Sequence, residues 1–139
     1  MKLLADIHLF LLDLDGTFYL DATPLPGALD FLAAVRARGV EFAFLTNNSS
    51  RGKQDYLLKL NRMGSSVSAR EVLTSADATL DYLDKNHFSK DLLLIGTPSL
   101  EAQFAAGGYA VRAPQPQAVV LGFDTTLTYQ KLSDACRLI

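Results

Sequence analysis

The sequence predicts an α/β fold in which short parallel strands alternate with helices. Continuous apolar runs, typical of strands buried on both faces, recur between stretches in which apolar residues follow the helical period. Strands and helices alternating at this spacing favour parallel pairing through right-handed crossovers. With 139 residues, of which 49% are hydrophobic and 20% charged, the chain is long enough to bury a core.

The first strand is predicted over residues 7–12, an apolar run that indicates cover on both faces. A helix follows, because apolar residues recur at the helical spacing in Ala28, Phe31, Leu32 and Val35. Gly39 lies where a glycine can end this helix.

The second buried strand is predicted over residues 40–46. The polar stretch that follows supplies a turn, and a helix then runs to about Met63 with a glycine after it. Ser49 or Ser50 is the expected cap of this helix.

The rest of the chain predicts three more strands, each followed by a helix, at 71–75, 92–96 and 118–122. Ser75 is the expected cap of the first of these helices, and Thr97 with a following proline begins the second. The last helix starts near Leu127 and is amphipathic, with Cys136 on its apolar face and therefore expected in the core.

Composition narrows the classes of function. A net charge of −2 gives no reason to expect a nucleic acid or a membrane surface as partner. The single cysteine excludes an internal disulfide framework and indicates a cytoplasmic protein. His8 and His87 are far apart in sequence, so no zinc-type ligand set is visible.

Two carboxylates, Asp13 and Asp15, follow the first strand in the stretch DLDGT. Ligands of open α/β sheets bind beyond the carboxyl ends of the strands, where both would lie, and Gly16 permits the bend. Two carboxylates beside an anionic substrate repel one another unless a cation such as Mg²⁺ joins them. Asp13 is then a candidate nucleophile and Asp15 a candidate proton carrier, the alternative being an ordinary solvated acidic turn.

A second polar group follows the second strand in the stretch FLTNNSSR. Thr46 ends the strand, and its hydroxyl, the Asn47 amide and nearby backbone N–H groups could bind a phosphate close to a helix start. The alternative is a structural turn and helix cap. Together with DLDGT at a matching strand end, Thr46 and Asn47 are the favoured ligands, and Gly16 is assigned to the same phosphate site.

DLDGT and FLTNN together resemble the first two motifs of the haloacid dehalogenase superfamily of phosphohydrolases. PLPGALDFLAAVRARG, LTSADAT and VVLGFDTTLTYQKL resemble its class IIA, NagD-like branch. The resemblance implies that Asp13 is the nucleophile, Asp15 the general acid/base, and Thr46 with Asn47 the phosphoryl-binding pair. It also implies magnesium, bound by the Asp13 side chain and the backbone carbonyl of Leu14.

The resemblance implies half of a Rossmann-like core over residues 1–74 and the first half of an α/β cap domain over 75–139. Such enzymes carry a later Gly-Lys-Pro lysine and a Gly-Asp pair, and neither is present here. Lys53 is expected to be a solvated surface charge and Asp124 to cap the next helix. The chain is therefore expected to be the N-terminal part of a longer protein, with little activity alone and a free sheet edge that favours self-association.

The expected function is magnesium-dependent hydrolysis of a small phosphorylated metabolite through an aspartyl-phosphate. The alternative is a non-catalytic, receiver-like or ligand-sensing α/β module, against which the Gly-Thr after Asp15 and the NNSS loop argue. A dinucleotide fold is a weaker alternative, because no Gly-x-Gly-x-x-Gly follows the first strand.

Overall fold

A computed structural model describes residues 6–139, which fall into two compact units. The first contains the described residues up to Thr46 together with Tyr56–Leu73, and the second contains Asn47–Asp55 and Thr74–Ile139. The assignment of 1–74 to a half core and 75–139 to a half cap stays a prediction, and residues 1–5 lie outside the described part. Among the described residues, no helix has the length and apolar character needed to span a bilayer.

Residues 6–74 form five short strands and two α-helices. The strands are β1 (Leu9–Asp13), β2 (Tyr19–Leu20), β3 (Thr23–Pro24), β4 (Glu41–Thr46) and β5 (Val72–Thr74), and the helices are α1 (Ala28–Ala37) and α2 (Lys53–Arg62). The main sheet has the order β1-β4-β5, and β2 pairs antiparallel with β3. Strands β1 and β4 are parallel, as the sequence predicts.

Apolar residues at alternate positions of β4 form the centre of the first unit. Phe44 is fully buried, and its ring centroid lies 4.7 Å from that of Phe18 and 5.6 Å from that of Phe42. Leu32 and Val35 of α1 join the same cluster. Gly39, with φ of 65°, follows α1 and confirms the predicted end of this helix.

The prediction that β1 is covered on both faces is wrong for the described residues. Leu9 and Leu11 are 49% and 60% exposed, whereas Phe10 and Leu12 on the other face pack against the core. The physical reason is that the core cluster packs only on the face of β1 that carries Phe10 and Leu12, while β1 also lacks, among the described residues, a strand neighbour on the side away from β4. An apolar run indicates that a strand can be buried, but the number of neighbouring elements decides whether it is.

The second unit contains α3 (Ser75–Lys85), β6 (Leu92–Ile95), α4 (Pro98–Ala106), β7 (Ala118–Leu121) and α5 (Tyr129–Leu138). Strands β6 and β7 pair in parallel, with Leu92 opposite Ala118. Thr97 caps α4 by accepting from the Leu100 N–H at 3.3 Å, with proline at the first helical position, as predicted. The core of this unit includes Leu92, Leu94 and Phe104.

The predicted capping residues need correction. Thr74, not Ser75, caps α3: its hydroxyl accepts from the Asp77 N–H at 3.1 Å, and Asp77 accepts the Thr74 N–H in return. Helix α2 begins at Lys53, three residues beyond Ser50, and the Asp55 carboxylate accepts from the Gly52 N–H at 3.2 Å. Strand β5 ends at Thr74, and the turn after β4 continues to Gly52. Each following helix is therefore capped by a different residue from the one predicted.

Two predictions for the last helix are also wrong. Asp124 lies ahead of α5 and accepts from the Thr126 N–H at 2.8 Å, while Thr128 caps the helix. Cys136 is exposed rather than part of the core, because the buried face of α5 centres on Ala135.

Candidate functional site

The register between β1 and β4 places the candidate residues of the first unit at the carboxyl ends of these two strands. Asp13 is the last residue of β1, and its Cα partner across the strands is Leu45. Thr46, the last residue of β4, therefore lies one position beyond Asp13 at the same edge. Thr46 is buried and Asp13 is exposed, so the Asp13 carboxylate is the more accessible of the two side chains.

A tight turn follows β1 and presents Asp15. Gly16 adopts φ of 81°, a left-handed conformation that favours glycine, and its N–H donates to the Tyr19 carbonyl at 2.8 Å. The Thr17 hydroxyl donates to Asp13 Oδ2 at 3.2 Å. Gly16 thus supplies the bend that the sequence predicts, and Thr17 fixes one oxygen of the Asp13 carboxylate.

Apolar residues between the polar ones hold this turn in place. Leu14 and Tyr19 have no exposed surface, and Phe18 is 4% exposed. Lys59 Nζ lies 3.5 Å from the centroid of the Tyr19 ring. Because Leu14 is buried between two exposed aspartates, its burial directs Asp13 and Asp15 outward.

The carbonyl of Leu14 is engaged within the turn. It accepts from three backbone N–H groups, at 3.2 Å from Thr17, 2.9 Å from Phe18 and 3.3 Å from Tyr19. To bind a cation, as the resemblance implies, this buried carbonyl would have to give up these hydrogen bonds. A backbone ligand is more readily supplied by the exposed residues that follow, 15–17.

The carboxylates match part of what a magnesium ion requires. Mg²⁺ in proteins commonly takes one or two carboxylates and fills its remaining positions with water and phosphate oxygens. Asp13 and Asp15 are both exposed at the turn and provide such oxygens. Within residues 6–139, no group of three or more His, Cys, Asp or Glu side chains is placed to share a metal ion. The described residues therefore fit a partial magnesium site with two acidic side chains.

A cavity of about 330 Å³, large enough to admit a small organic group, opens beside Asp13 in the first unit. Asp13 and Thr17 provide its polar side, and the rest is apolar, including Leu12, Phe18 and Phe31. The Asp13 carboxylate can therefore be approached from a cavity with an apolar wall.

Asn47 follows Thr46 directly in the chain and is exposed. It belongs to the second unit, as does the rest of the segment 47–55. The serines of this loop make structural contacts: Ser49 Oγ accepts from the Phe123 N–H at 2.7 Å, and the Ser50 N–H donates to Asn48 Oδ1 at 3.1 Å. Among Asn47, Asn48, Ser49 and Ser50, only Asn47 is exposed, so its amide is the one best placed to meet a ligand from solvent.

Lys53 differs from its prediction as a solvated charge. Its side chain is 24% exposed, and its Nζ lies 3.3 Å from Asp77 Oδ2. Ser99 and Gln103, which sequence analysis did not select, contact the same part of the loop: Ser99 Oγ accepts from the Gly52 N–H and Gln103 Oε1 from the Lys53 N–H, both at 2.9 Å. No local pattern indicates these contacts, because they join residues 47 and 50 positions apart.

Comparison with known proteins identifies a family. The sequence model of haloacid dehalogenase-like hydrolases matches residues 10–110. An acid sugar phosphatase of Staphylococcus aureus is 31% identical over 127 residues, which are 91% of this chain and 49% of that protein. The chain thus spans about half the length of the curated relatives it matches.

Solved structures agree with this match. A 4-nitrophenylphosphatase from Thermotoga maritima is 47% identical, with a TM-score of 0.90 over 95% of this chain and 51% of that one. A glycerol phosphate phosphatase from Mycobacterium tuberculosis, solved in complex with magnesium, is 29% identical, with a TM-score of 0.80 over 96% and 41% of the two chains. Another structure of that phosphatase contains calcium.

Proposed function

The chain belongs to the haloacid dehalogenase-like hydrolase family, and from this we propose that it carries the nucleophilic half of a phosphatase site that works through an aspartyl-phosphate on Asp13. The observation that carries the proposal is the position of Asp13. Asp13 lies at the carboxyl end of β1, where its carboxylate is exposed and accepts a hydrogen bond from Thr17. Thr46 is one residue beyond Leu45, the partner of Asp13 in β4. This is the edge at which open α/β sheets bind ligands.

In the first half of the proposed reaction, an Asp13 oxygen attacks the phosphorus of a phosphomonoester. The bond from phosphorus to the ester oxygen breaks, and Asp15 gives its proton to that leaving oxygen. Asp15 suits this role because it is held at the exposed turn rather than packed into the core.

In the second half, Asp15 accepts a proton from a water molecule. The resulting oxygen attacks phosphorus, the bond between phosphorus and Asp13 breaks, and inorganic phosphate leaves. The two carboxylates then return to their starting protonation states. Thr46 and Asn47 are proposed to hold the phosphoryl oxygens through their hydroxyl and amide donors. Gly16 is proposed to line the same site through the bend it gives the turn, because its N–H already donates to the Tyr19 carbonyl at 2.8 Å.

Magnesium, when bound, would offset the charge of the carboxylates and the phosphoryl group. In this chain the Asp13 carboxylate would hold it, with the turn that follows offering further oxygens. The magnesium found with the related glycerol phosphate phosphatase supports this choice of ion.

A small phosphorylated metabolite is the proposed substrate. The names of the relatives, an acid sugar phosphatase and a glycerol phosphate phosphatase, support sugar or polyol phosphates as the class. We further propose a cytoplasmic protein that uses neither nucleic acid nor membrane as partner and can self-associate. The 139-residue chain alone is expected to show little turnover, because the phosphoryl site needs more positive charge than these residues provide.

A single-turnover assay tests the proposal without requiring full activity. The chain is mixed with p-nitrophenyl phosphate and Mg²⁺, and nitrophenolate release is followed together with the intact mass. We expect no more than about one equivalent to be released rapidly, with one phosphoryl group added to the protein. Asp13→Asn should abolish both signals, while Asp15→Asn should retain the bound phosphoryl group and slow its loss. Equal release by wild type and Asp13→Asn would overturn the proposal.

The receiver-like alternative has a separate signature. A receiver-like module would bind beryllofluoride with Mg²⁺ at Asp13 but would release no nitrophenolate. Beryllofluoride binding without any release or phosphoryl incorporation would therefore favour the alternative.

A further inference from the structure

We propose that Ser99 and Gln103 of α4 are positioning residues for the phosphate-binding loop, acting through the segment 47–55. The inference rests on the proposed function, because it assigns a purpose to the placement of Asn47. It starts from the observation that 47–55 belongs to the second unit although Thr46, the residue before it, belongs to the first.

Gln103 connects the segment with α3 as well as α4. Its Oε1 accepts from the Lys53 N–H at 2.9 Å, and its Nε2 donates to Asp77 Oδ1 at 3.0 Å. Asp77 Oδ2 in turn lies 3.3 Å from Lys53 Nζ. Lys53 is thus held at both its backbone and its side chain, which is a stronger constraint than a helix start needs for capping alone.

Ser99 makes a second attachment one residue earlier. Its Oγ accepts from the Gly52 N–H at 2.9 Å and donates to Asp55 Oδ2 in a short hydrogen bond. Gly52 is buried, and a Cβ placed on it would lie 2.9 Å from Ser99 Oγ and 3.0 Å from the Ser99 carbonyl oxygen. The loop at Gly52 and the helix at Ser99 approach so closely here that only glycine fits without displacement.

The N-terminal side of the segment is attached as well. Thr97 Oγ1 donates to the Ser50 carbonyl at 2.9 Å, and the Ser49 hydroxyl accepts from the Phe123 N–H at 2.7 Å. Ser75 Oγ lies 3.4 Å from the Asn47 carbonyl. These contacts leave little freedom for a loop that has no regular secondary structure of its own, so Asn47 is presented in one arrangement rather than many.

The functional consequence is preorganisation. A loop already ordered before phosphate arrives loses less conformational entropy on binding. Ser99 and Gln103 are therefore expected to strengthen phosphate binding without touching phosphate themselves.

The test measures loop order and ligand affinity on the same samples. The probes are inorganic phosphate with Mg²⁺, titrated by amide NMR shifts at Gly16 and Asn47, and hydrogen exchange of the Lys53 amide. Gln103→Ala should speed Lys53 exchange and weaken phosphate binding, each by roughly fivefold, the scale of one lost hydrogen bond. Gly52→Ala should also speed Lys53 exchange and weaken phosphate binding, because its Cβ would push the loop away from Ser99.

Gln130→Ala is the matched control, because Gln130 is also a glutamine of the second unit and donates to Asp134 at 2.7 Å within α5. It should change neither measurement. Faster Lys53 exchange with unchanged phosphate affinity would overturn the inference, as would the absence of any change in Gln103→Ala. A wild-type chain that binds no phosphate would overturn this inference and the proposed phosphate site together, whereas phosphate binding that is normal in both variants would overturn the inference alone.

Discussion

Lys131 Nζ and Asp124 Oδ2 lie 2.6 Å apart in the second unit, and only 2% of the Asp124 side chain is exposed. Lys131 Nζ also donates to the Gly96 carbonyl at 3.0 Å and to Thr126 Oγ1 at 3.1 Å. One ammonium group therefore joins α5 to the end of β6 and to the turn after β7. The pair gives this unit a polar link between elements that are distant in sequence.

Replacing Lys131 with methionine should destabilise the chain by about 3 kcal/mol, because the buried Asp124 carboxylate would lose its partner. Urea denaturation at neutral pH measures the change in the free energy of unfolding. Lys85→Met is the control, since the Lys85–Asp81 pair is exposed and should contribute less than about 1 kcal/mol. Equal losses in the two variants would contradict the prediction.

The same pair predicts a specific acid dependence. Burial alone would raise the pKa of Asp124, but hydrogen bonds from Lys131 and Thr126 outweigh burial and lower this pKa below its usual value. The folded chain then binds the proton less tightly than the unfolded chain. The stabilisation is present above about pH 4 and is lost as the pH falls through the folded-state pKa.

Asp124→Asn removes the titrating carboxylate, so comparison with the wild type isolates the contribution of Asp124 to the pH dependence of the free energy of unfolding. The free energy of unfolding of the wild type should therefore fall more steeply below about pH 4 than that of Asp124→Asn. Urea denaturation at several pH values between neutral and acid provides the comparison. Parallel curves for the two proteins would show that Asp124 does not carry this dependence.

Gly16→Ala should strain the turn that presents Asp15. A Cβ on Gly16 would meet no atom within 4 Å, so the cost comes from the φ of 81° rather than from a clash. We expect a loss of about 1 kcal/mol in unfolding free energy and a weaker nitrophenolate burst. Gly16→Asn should lose less, because asparagine tolerates this conformation better. Similar losses for both variants would argue against conformational strain as the cause.

Thr74→Ala should lower the free energy of unfolding by about 1 kcal/mol, because Thr74 caps α3 in a reciprocal arrangement with Asp77. Ser75→Ala removes the neighbouring hydroxyl and should have a smaller effect. Thermal or urea denaturation of both variants decides between them. A larger loss of unfolding free energy in Ser75→Ala would indicate that Ser75 is the cap, as the sequence alone suggests.

The order of strands and helices could be predicted because its signals are local. Gly39 ends a helix by its own backbone freedom, and the Thr97-Pro98 pair begins one through adjacent residues. DLDGT likewise combines a strand end, a turn and two carboxylates within a few residues, so the position of Asp13 and Asp15 at a strand edge was accessible from the sequence.

What the sequence could not predict depends on distant partners. Lys53 resembles any lysine at a helix start, and its half-buried pairing follows from Asp77, 24 positions later in the numbering. The exposure of Leu11 follows from the core cluster packing on the other face of β1, which is decided by distant elements rather than by the residues of β1. The hydrogen bonds of the Leu14 carbonyl depend on the backbone conformation of the turn, which the residue types alone do not predict.

The pairing of Asp13 with Leu45 also determines which insertions and deletions the site can tolerate. Side chains alternate between the two faces of a strand, so one residue added within β4 before Thr46 would turn its hydroxyl to the opposite face of the sheet. Residues added in the connection between β3 and α1 would leave that register intact. Length variation in this protein is therefore expected to be concentrated in the connections and excluded from the strand interiors that pair Asp13 with Leu45 and so fix the position of Thr46.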